Sequence, residues 1–317
     1  MPKTLVYFVS DLHGSSLCFR KFVNSTKVYK PKVLVLGGDV AGKAIQSIVK
    51  APGGRYECTF IGTRYEISDE DELTNLERLI ADHGYYPYRA EPGELEKMEE
   101  EGTLDELFLR LMRERLAEWL DIADTRLRPQ NVPLFLMLGN DDPPELADML
   151  DQAPWGVHAE GKVVHLDDDH EMISWGYANT TPWHTYREQN EEQLAQAYEA
   201  MAAQLDRPER AVFNLHPPPY DTQLDDAPAL DDELRVQASL GQIKYAPVGS
   251  TAVKDVVTRY QPLLGLHGHI HESSGIRRLG ARKSMVINPG SDYSTGALNG
   301  ALITLDRDKA GAQLVRG

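Results

Sequence analysis

Cysteine is nearly absent: Cys18 and Cys58 are the only two in 317 residues, so no disulfide framework holds this chain. No apolar run is long enough to cross a bilayer as a helix. The start, Met1-Pro2-Lys3-Thr4, runs straight into the strand-like Leu5-Val6-Tyr7-Phe8-Val9. It lacks the longer apolar region and small-residue cleavage site of a signal peptide. These absences give the expectation of a cytoplasmic protein with no membrane contact. Basic charge is short as well. Lys and Arg total 33 against 49 Asp and Glu, the net charge is −16, and no run of Lys and Arg makes a local patch. Such a surface repels the backbone of a long nucleic acid. Internal repeats and low-complexity tracts are missing too. What remains is 41% hydrophobic, enough for a single domain over residues 1–317 that carries an insertion.

Apolar runs that stop at polar clusters organise the chain. Leu5 to Val9, Val33 to Leu36, Leu134 to Leu138 and Ala211 to Leu215 read as buried strands, with a helix over Ser15 to Val23 between the first two. This order predicts an α/β architecture. Strands are also expected at Val163 to Leu166, Glu171 to Trp175, Ser284 to Asn288 and Ala301 to Leu305. Helices are expected at Asn190 to Leu205 and Thr251 to Tyr260, the latter capped by Ser250. Residues 41–133 differ. They hold short β-like pieces at Tyr56 to Ile61 and Arg64 to Ile67, then helical patterns at Asp69 to His83 and Glu94 to Arg126. Leu104, Leu107, Leu111, Leu116, Trp119 and Leu120 mark a core-facing stripe on the last. This region reads as an insertion or cap.

Five short blocks follow the strands: Ser10-Asp11-Leu12-His13-Gly14, Gly37-Gly38-Asp39-Val40, Gly139-Asn140-Asp141-Asp142, Asn214-Leu215-His216-Pro217 and Gly268-His269-Ile270-His271. Taken singly, most have ordinary explanations. Asp11 and His13, two apart in an extended segment, would point the same way, but a turn Asp and a surface His fit as well. Asp39 has two oxygens to bridge a pair of ions, and it fits equally as a helix cap. Asn140 can offer a side-chain oxygen to a hard cation, or simply belong to a turn. A lone His216 before Pro217 to Pro219 says little. Gly268 to His271 is the most specific piece, since with His267 it crowds three imidazoles into five residues. Together the blocks supply carboxylates, an Asn and imidazoles, all where α/β sheets place their ligands. The inventory fits two adjacent divalent metal ions, and that site implies hydrolysis of a phosphate ester.

The blocks, in this order, resemble the calcineurin-like metallophosphoesterase family, whose pattern is Asp-x-His, Gly-Asp, Gly-Asn-His-Asp/Glu, His and Gly-His-x-His. Asn288-Pro289-Gly290-Ser291 is similar to a stretch that often follows the last block. The resemblance spans the chain apart from the insertion. It implies a four-layer α/β/β/α sandwich, with a helical insertion between the second and third blocks and the dimetal site at the sheet edges. It also implies that Asp11, His13, Asp39 and His271 hold one metal, and Asp39, Asn140, His216 and His269 the other. Mn²⁺, Fe, Zn²⁺ or Ni²⁺ would suit such ligands, and a metal-bridging hydroxide would be the nucleophile.

One position departs from the pattern. Asp141 stands where the family has a His that contacts the phosphate and assists the leaving group. An ionised Asp141 would repel a phosphate dianion, which favours a phosphodiester over a monoester; kept protonated, it could still donate a proton. Asp142 would take the acidic role behind the ligands. The expected function is therefore a dimetal hydrolase of a small phosphodiester or nucleotide, with Asn140, Asp141 and Asp142 in catalytic roles; Trp175 to Asn179 could line the pocket, or equally supply a core Trp and a surface Tyr. The alternatives are a nuclease, for which no basic groove is visible, and a non-catalytic interaction scaffold, in which ligands would have been lost.

Overall fold

Alternation within the apolar runs decides which layer each side chain enters. The computed structural model describes residues 3–231 and 233–317. Strands β1 (Thr4–Val9) and β2 (Val33–Gly37) flank helix α1 (Ser16–Val28). Next come β3 (Ile45–Ala51), β4 (Arg55–Phe60), β5 (Thr63–Ile67), α2 (Glu70–Asp82) and β6 (Tyr86–Ala90), then α3 (Glu94–Glu101) and α4 (Leu104–Leu127). The second half of the fold holds β7 (Leu134–Met137), β8 (Val157–His158), β9 (Val163–His165), β10 (Glu171–Trp175), α5 (Glu191–Ala202) and β11 (Val212–Leu215). It ends with α6 (Thr251–Tyr260), β12 (Leu264–Leu266), β13 (Gly275–Leu279), β14 (Ser284–Asn288), β15 (Asn299–Asp306) and β16 (Lys309–Arg316).

Two six-stranded sheets carry the fold, in the orders β16-β15-β1-β2-β7-β8 and β13-β14-β12-β11-β10-β9. The central strands of each are parallel, so their C-terminal ends share one edge. Val6, Phe8, Val33, Val35 and Phe135 of the first sheet pack with Met172, Val212, Leu264, Leu266, Met285 and Ile287 of the second. The alternate residues Tyr7, Val9, Leu34, Leu36, Leu134 and Leu136 pack instead under α1 and α4. On the far side, Ile173, Phe213 and Leu215 lie under α5 and α6. Three cores between four layers make an α/β/β/α sandwich.

Residues 41–133 serve two layers. A four-stranded sheet, β5-β4-β3-β6, closes with α2 over its own core of Ile48, Cys58, Phe60, Ile67, Leu73, Leu76 and Ile80. Helix α4 belongs to the outer layer of the main sandwich: Met112, Leu116, Trp119, Leu120, Ala123 and Leu127 join α1, and Trp119 stacks on Phe19 at 4.3 Å. The helical pattern expected over Glu94 to Arg126 is two helices. Gly102, at φ 72°, ends the first in a left-handed turn. No helix among the described residues is long and apolar enough to cross a membrane.

Candidate metal centre

The loops leaving β1 and β2 zip together. Asp11, His13 and Gly14 donate their amides to the carbonyls of Gly38, Asp39 and Val40 at 3.0, 2.9 and 2.8 Å. This pairing corrects the expectation that Asp11 and His13 share a face of an extended segment. Both adopt left-handed backbone, φ 57° and 40°, as do Asp39 (51°) and His269 (66°). A non-glycine residue there costs of order 1–3 kcal/mol, about what burying one core side chain contributes. The sandwich beneath can sustain such strain, and strain of this kind concentrates at functional sites. Glycine makes the close approach possible. A Cβ on Gly139 would lie 2.0 Å from Asp39 Oδ1, and one on Gly268 would lie 2.2 Å from Ser10 Oγ.

Donor atoms of Asp11, His13, Asp39 and His271 lie within 4.8 Å of one another, as do those of Asp39, His216 and His269. Six of the seven candidate ligands thus fall in two groups that share Asp39. Asn140 joins the second group, its Oδ1 3.1 Å from His216 Nε2. In the first, His13 Nε2 and His271 Nε2 face each other at 3.0 Å, with Asp39 Oδ2 and Asp11 Oδ1 each 3.5 Å away.

Hydrogen bonding behind the donors tests whether a cation suits them. His216 Nδ1 donates to Gly37 O at 2.8 Å, which leaves Nε2 as a lone pair in the neutral ring. That lone pair meets Asn140 Oδ1 at 3.1 Å, Asp39 Oδ2 at 3.3 Å and Asp11 Oδ1 at 3.9 Å, all acceptors. The Asn140 amide nitrogen donates to Asp141 Oδ1 and Thr185 Oγ1, which turns its oxygen inward. So many converging lone pairs are stable only around a cation, either a proton or a metal ion. Mixed imidazole and carboxylate donors of this kind suit a divalent transition metal.

The titration behaviour agrees. Burial opposes charge on His216, but Asp39, Asp11 and the Gly37 carbonyl outweigh it and push the imidazole up to about 9. Burial also opposes ionisation of Asp11, yet His271, His216 and His13 hold it well below the usual carboxylate range. His13, with burial only partly offset by Asp39, is pushed down to about 3. Burial, aided by the charge of His216, pushes His269 down to about 4.

Asp142 is fully buried and accepts the amides of Gly139 (2.7 Å), Val40 (3.0 Å) and Ala41 (2.7 Å). It fastens the loop after β7 to the loop after β2. Burial and the charge of Asp39 push it up to about 7 against those three donors. Asp141 donates its own amide to Asp39 Oδ1 at 3.0 Å, while its Oδ2 sits 2.5 Å from Lys43 Nζ and 4.0 Å from His13 Nδ1. The stretch after β14 supports the last block: Asn288 donates to Ile270 O, and Ser291 donates its hydroxyl to Asp11 O.

Some sequence expectations go elsewhere. His267 is not in either group. It is buried, it bonds Leu215 O through Nδ1 at 2.7 Å, and its Nε2 lies against Gly265. Of the segment expected to line the pocket, Trp175 bonds Gln189 and stacks on Tyr177, while Asn179 donates to Val248 O. Residues the sequence did not single out include Arg187, which is buried, donates to Gly139 O at 3.0 Å and pairs with Glu160. Tyr293 packs its ring 4.7 Å from that of His13. Lys43 pairs with Asp141, and only its place between two blocks could have drawn notice.

No protein-family model matches the chain, and no curated protein does. The likeness to known proteins is structural. One crystal structure aligns with 98% of this chain and 99% of its own, at 14% identity and a TM-score of 0.56. TT1561 of Thermus thermophilus aligns over the same shares at 14% identity and a TM-score of 0.53. A 5'-nucleotidase precursor from the same organism matches at 12% identity and a TM-score of 0.42, over 99% of this chain and 54% of its own, too distant to bear on activity. At such identities the likeness concerns the fold.

Proposed function

We propose that this protein is a metal-dependent phosphoester hydrolase acting on a small phosphodiester. One observation carries the reading: two donor groups share a single buried carboxylate, Asp39, where the central strands end. Asp11, His13, Asp39 and His271 would hold one divalent ion, and Asp39, Asn140, His216 and His269 a second. Mn²⁺, Fe, Zn²⁺ and Ni²⁺ all accept these donors. Bound there, two such ions would supply Lewis-acid charge to the phosphoryl oxygens and make a coordinated water acidic. The chain's own part is preorganisation. His216 is fixed in one tautomer by Gly37, Asn140 is turned inward by Asp141 and Thr185, and Asp142 locks the two loops that carry Asp39 and Asn140.

The diester preference rests on Asp141. Its carboxylate is paired with Lys43, so the pair is neutral where an imidazolium donor would have added positive charge. A diester, carrying one negative charge, asks less of such a site than a monoester dianion. The net charge of −16 also favours a small substrate over a polyanion. Hydrolysis of bis-p-nitrophenyl phosphate should exceed that of p-nitrophenyl phosphate in the same metal; a faster monoester would remove the diester assignment.

A further inference from the structure

The crossover from β10 to α5 carries two exposed aromatic rings on a tightly held loop. Ala178 and Asn179 pair in parallel with Glu188 and Gln189, which closes the root of the loop over 180–187. One carboxylate oxygen then gathers its two sides. Glu188 Oε1 accepts the Thr181 hydroxyl at 2.5 Å, the Thr185 amide at 3.0 Å and the Thr185 hydroxyl at 2.9 Å. Thr181 Oγ1 in turn accepts the Trp183 amide at 3.2 Å. His184 takes left-handed backbone at φ 50° and returns its amide to Thr181 O. The tip of the loop is therefore ordered before any ligand arrives, and a ligand need not supply that entropy.

The same loop is fastened to the candidate metal centre. Thr185 Oγ1 accepts from the Asn140 side chain at 2.9 Å, and Arg187 donates its amide to Asn140 O at 3.1 Å. Tyr186 stands between these two contacts, its Cα about 3.8 Å from that of each neighbour. Hydrogen bonds run without a break from Asn140 through Thr185, Glu188 and Thr181 to Trp183. Yet the two rings are left to solvent, Trp183 at 61% and Tyr186 at 60% exposed. The other tryptophans, Trp119, Trp155 and Trp175, are buried or half-buried. Burial, then the carboxylates of Asp105, Glu145 and Asp141, raise the Tyr186 phenol above its ordinary value. The Tyr186 ring thus faces the rim on which Asp141 stands. Carboxylates around it disfavour a further phosphate or another anion there and leave an uncharged group as the better occupant.

We propose that Trp183 and Tyr186 form a subsite for an uncharged planar ring of the substrate, which stacks there while the phosphate occupies the centre. The diester is then one that carries a nucleobase or an aryl group, rather than an alkyl or sugar ester. This rests on the phosphoesterase reading above and adds the substrate class to it. Stacking makes and breaks no bond, and it suits a preformed surface of two large rings. Because the loop also orients Asn140, a ring seated on it is held in register with the second donor group.

Titration calorimetry on the metal-loaded chain tests this with three phosphates: adenosine 5'-monophosphate with a base, phenyl phosphate with an aryl ring, and ribose 5-phosphate with no aromatic ring. The wild type should bind adenosine 5'-monophosphate roughly tenfold or more tighter than ribose 5-phosphate, the size of one base stack. Trp183→Ala should erase most of that gap, Tyr186→Ala should narrow it, and Trp183→Phe should keep it. Ribose 5-phosphate affinity should be the same in all four proteins. Phenyl phosphate that matches adenosine 5'-monophosphate assigns the subsite to any aryl ring, and phenyl phosphate that matches ribose 5-phosphate assigns it to a base. An equal loss for ribose 5-phosphate in Trp183→Ala, with no rescue by Trp183→Phe, would make Trp183 merely structural. If the wild type binds the base-bearing and base-free phosphates alike while it holds metal and hydrolyses bis-p-nitrophenyl phosphate, the subsite is wrong and the phosphoesterase reading stands. If the wild type takes up no metal and turns over no diester, both fall together.

Discussion

Asp39 is the residue on which the two donor groups depend. Its replacement by Ala should empty both positions, whereas His269→Ala should release one ion. Metal analysis of the two purified variants distinguishes these outcomes, and equal losses would contradict a shared carboxylate. Turnover in Asp39→Ala should fall by more than roughly 100-fold, beyond the loss typical of an outer partner. Asp141→His would place an imidazole where the carboxylate faces His13 and would unpair Lys43. The ratio of monoester to diester hydrolysis should then rise; an unchanged ratio would count against Asp141 as the source of the preference. The candidate donors stood out in the sequence because they sit in short polar blocks at strand ends, four of the five blocks with a glycine. The Lys43–Asp141 pair did not, since it joins residues far apart in the chain through a contact that only folding creates.

At the scale of elements, the four-stranded sheet β5-β4-β3-β6 approaches the site through three glycines. A Cβ on Gly14 would lie 2.8 Å from Gly42, one on Gly42 would lie 2.2 Å from Gly84 O, and one on Gly84 would lie 2.4 Å from His13 O. Gly84 is also at φ +89°. Gly84→Ala should therefore cost of order 1–3 kcal/mol and displace the His13 loop, weakening the first donor group more than the second. Gly311→Ala, where nothing lies within 4 Å, is the control and should change neither melting temperature nor metal uptake. Equal behaviour of the two variants would deny the coupling between the four-stranded sheet and the site. Buried parallel strands such as β1, β2 and β7 were readable as unbroken apolar runs. β3, β6, β13 and β16 were not, because half-exposed strands mix polar and apolar residues. The break between α3 and α4 was equally hidden: a single Gly102 in an acidic helical pattern is a weak stop signal.

For the whole molecule, the edge shared by the two sheets buries ionisable groups that packing alone would exclude. The metal-free protein should be sensitive to acid. His13, His267 and His269 are held down to about 3, 4 and 4 by burial, against about 6.5 in an unfolded chain. A depressed folded value means stability that is present above pH 6.5 and lost as pH falls towards 4. Each imidazole should remove ~1.4 kcal/mol per pH unit over that window. His216, raised to about 9, acts in the opposite sense and weakens the fold as pH rises through that value. Melting curves of chelated protein should fall steeply from pH 6.5 to 5, and bound metal should blunt the fall; a flat profile would contradict the buried neutral imidazoles. The pairing of the two sheets lay beyond local pattern, because register between distant strands is set by a core such as Phe8 and Val35 against Leu264 and Ile287. Family resemblance implied the four layers; periodicity alone implied only α/β. The central claim is a two-ion centre built on Asp39. Metal analysis of the folded chain after exposure to Mn²⁺, paired with turnover of bis-p-nitrophenyl phosphate, tests it most directly. Two ions per chain with hydrolysis are expected, both lost in Asp39→Ala, whereas a folded chain that holds no metal and leaves the diester intact would refute the claim.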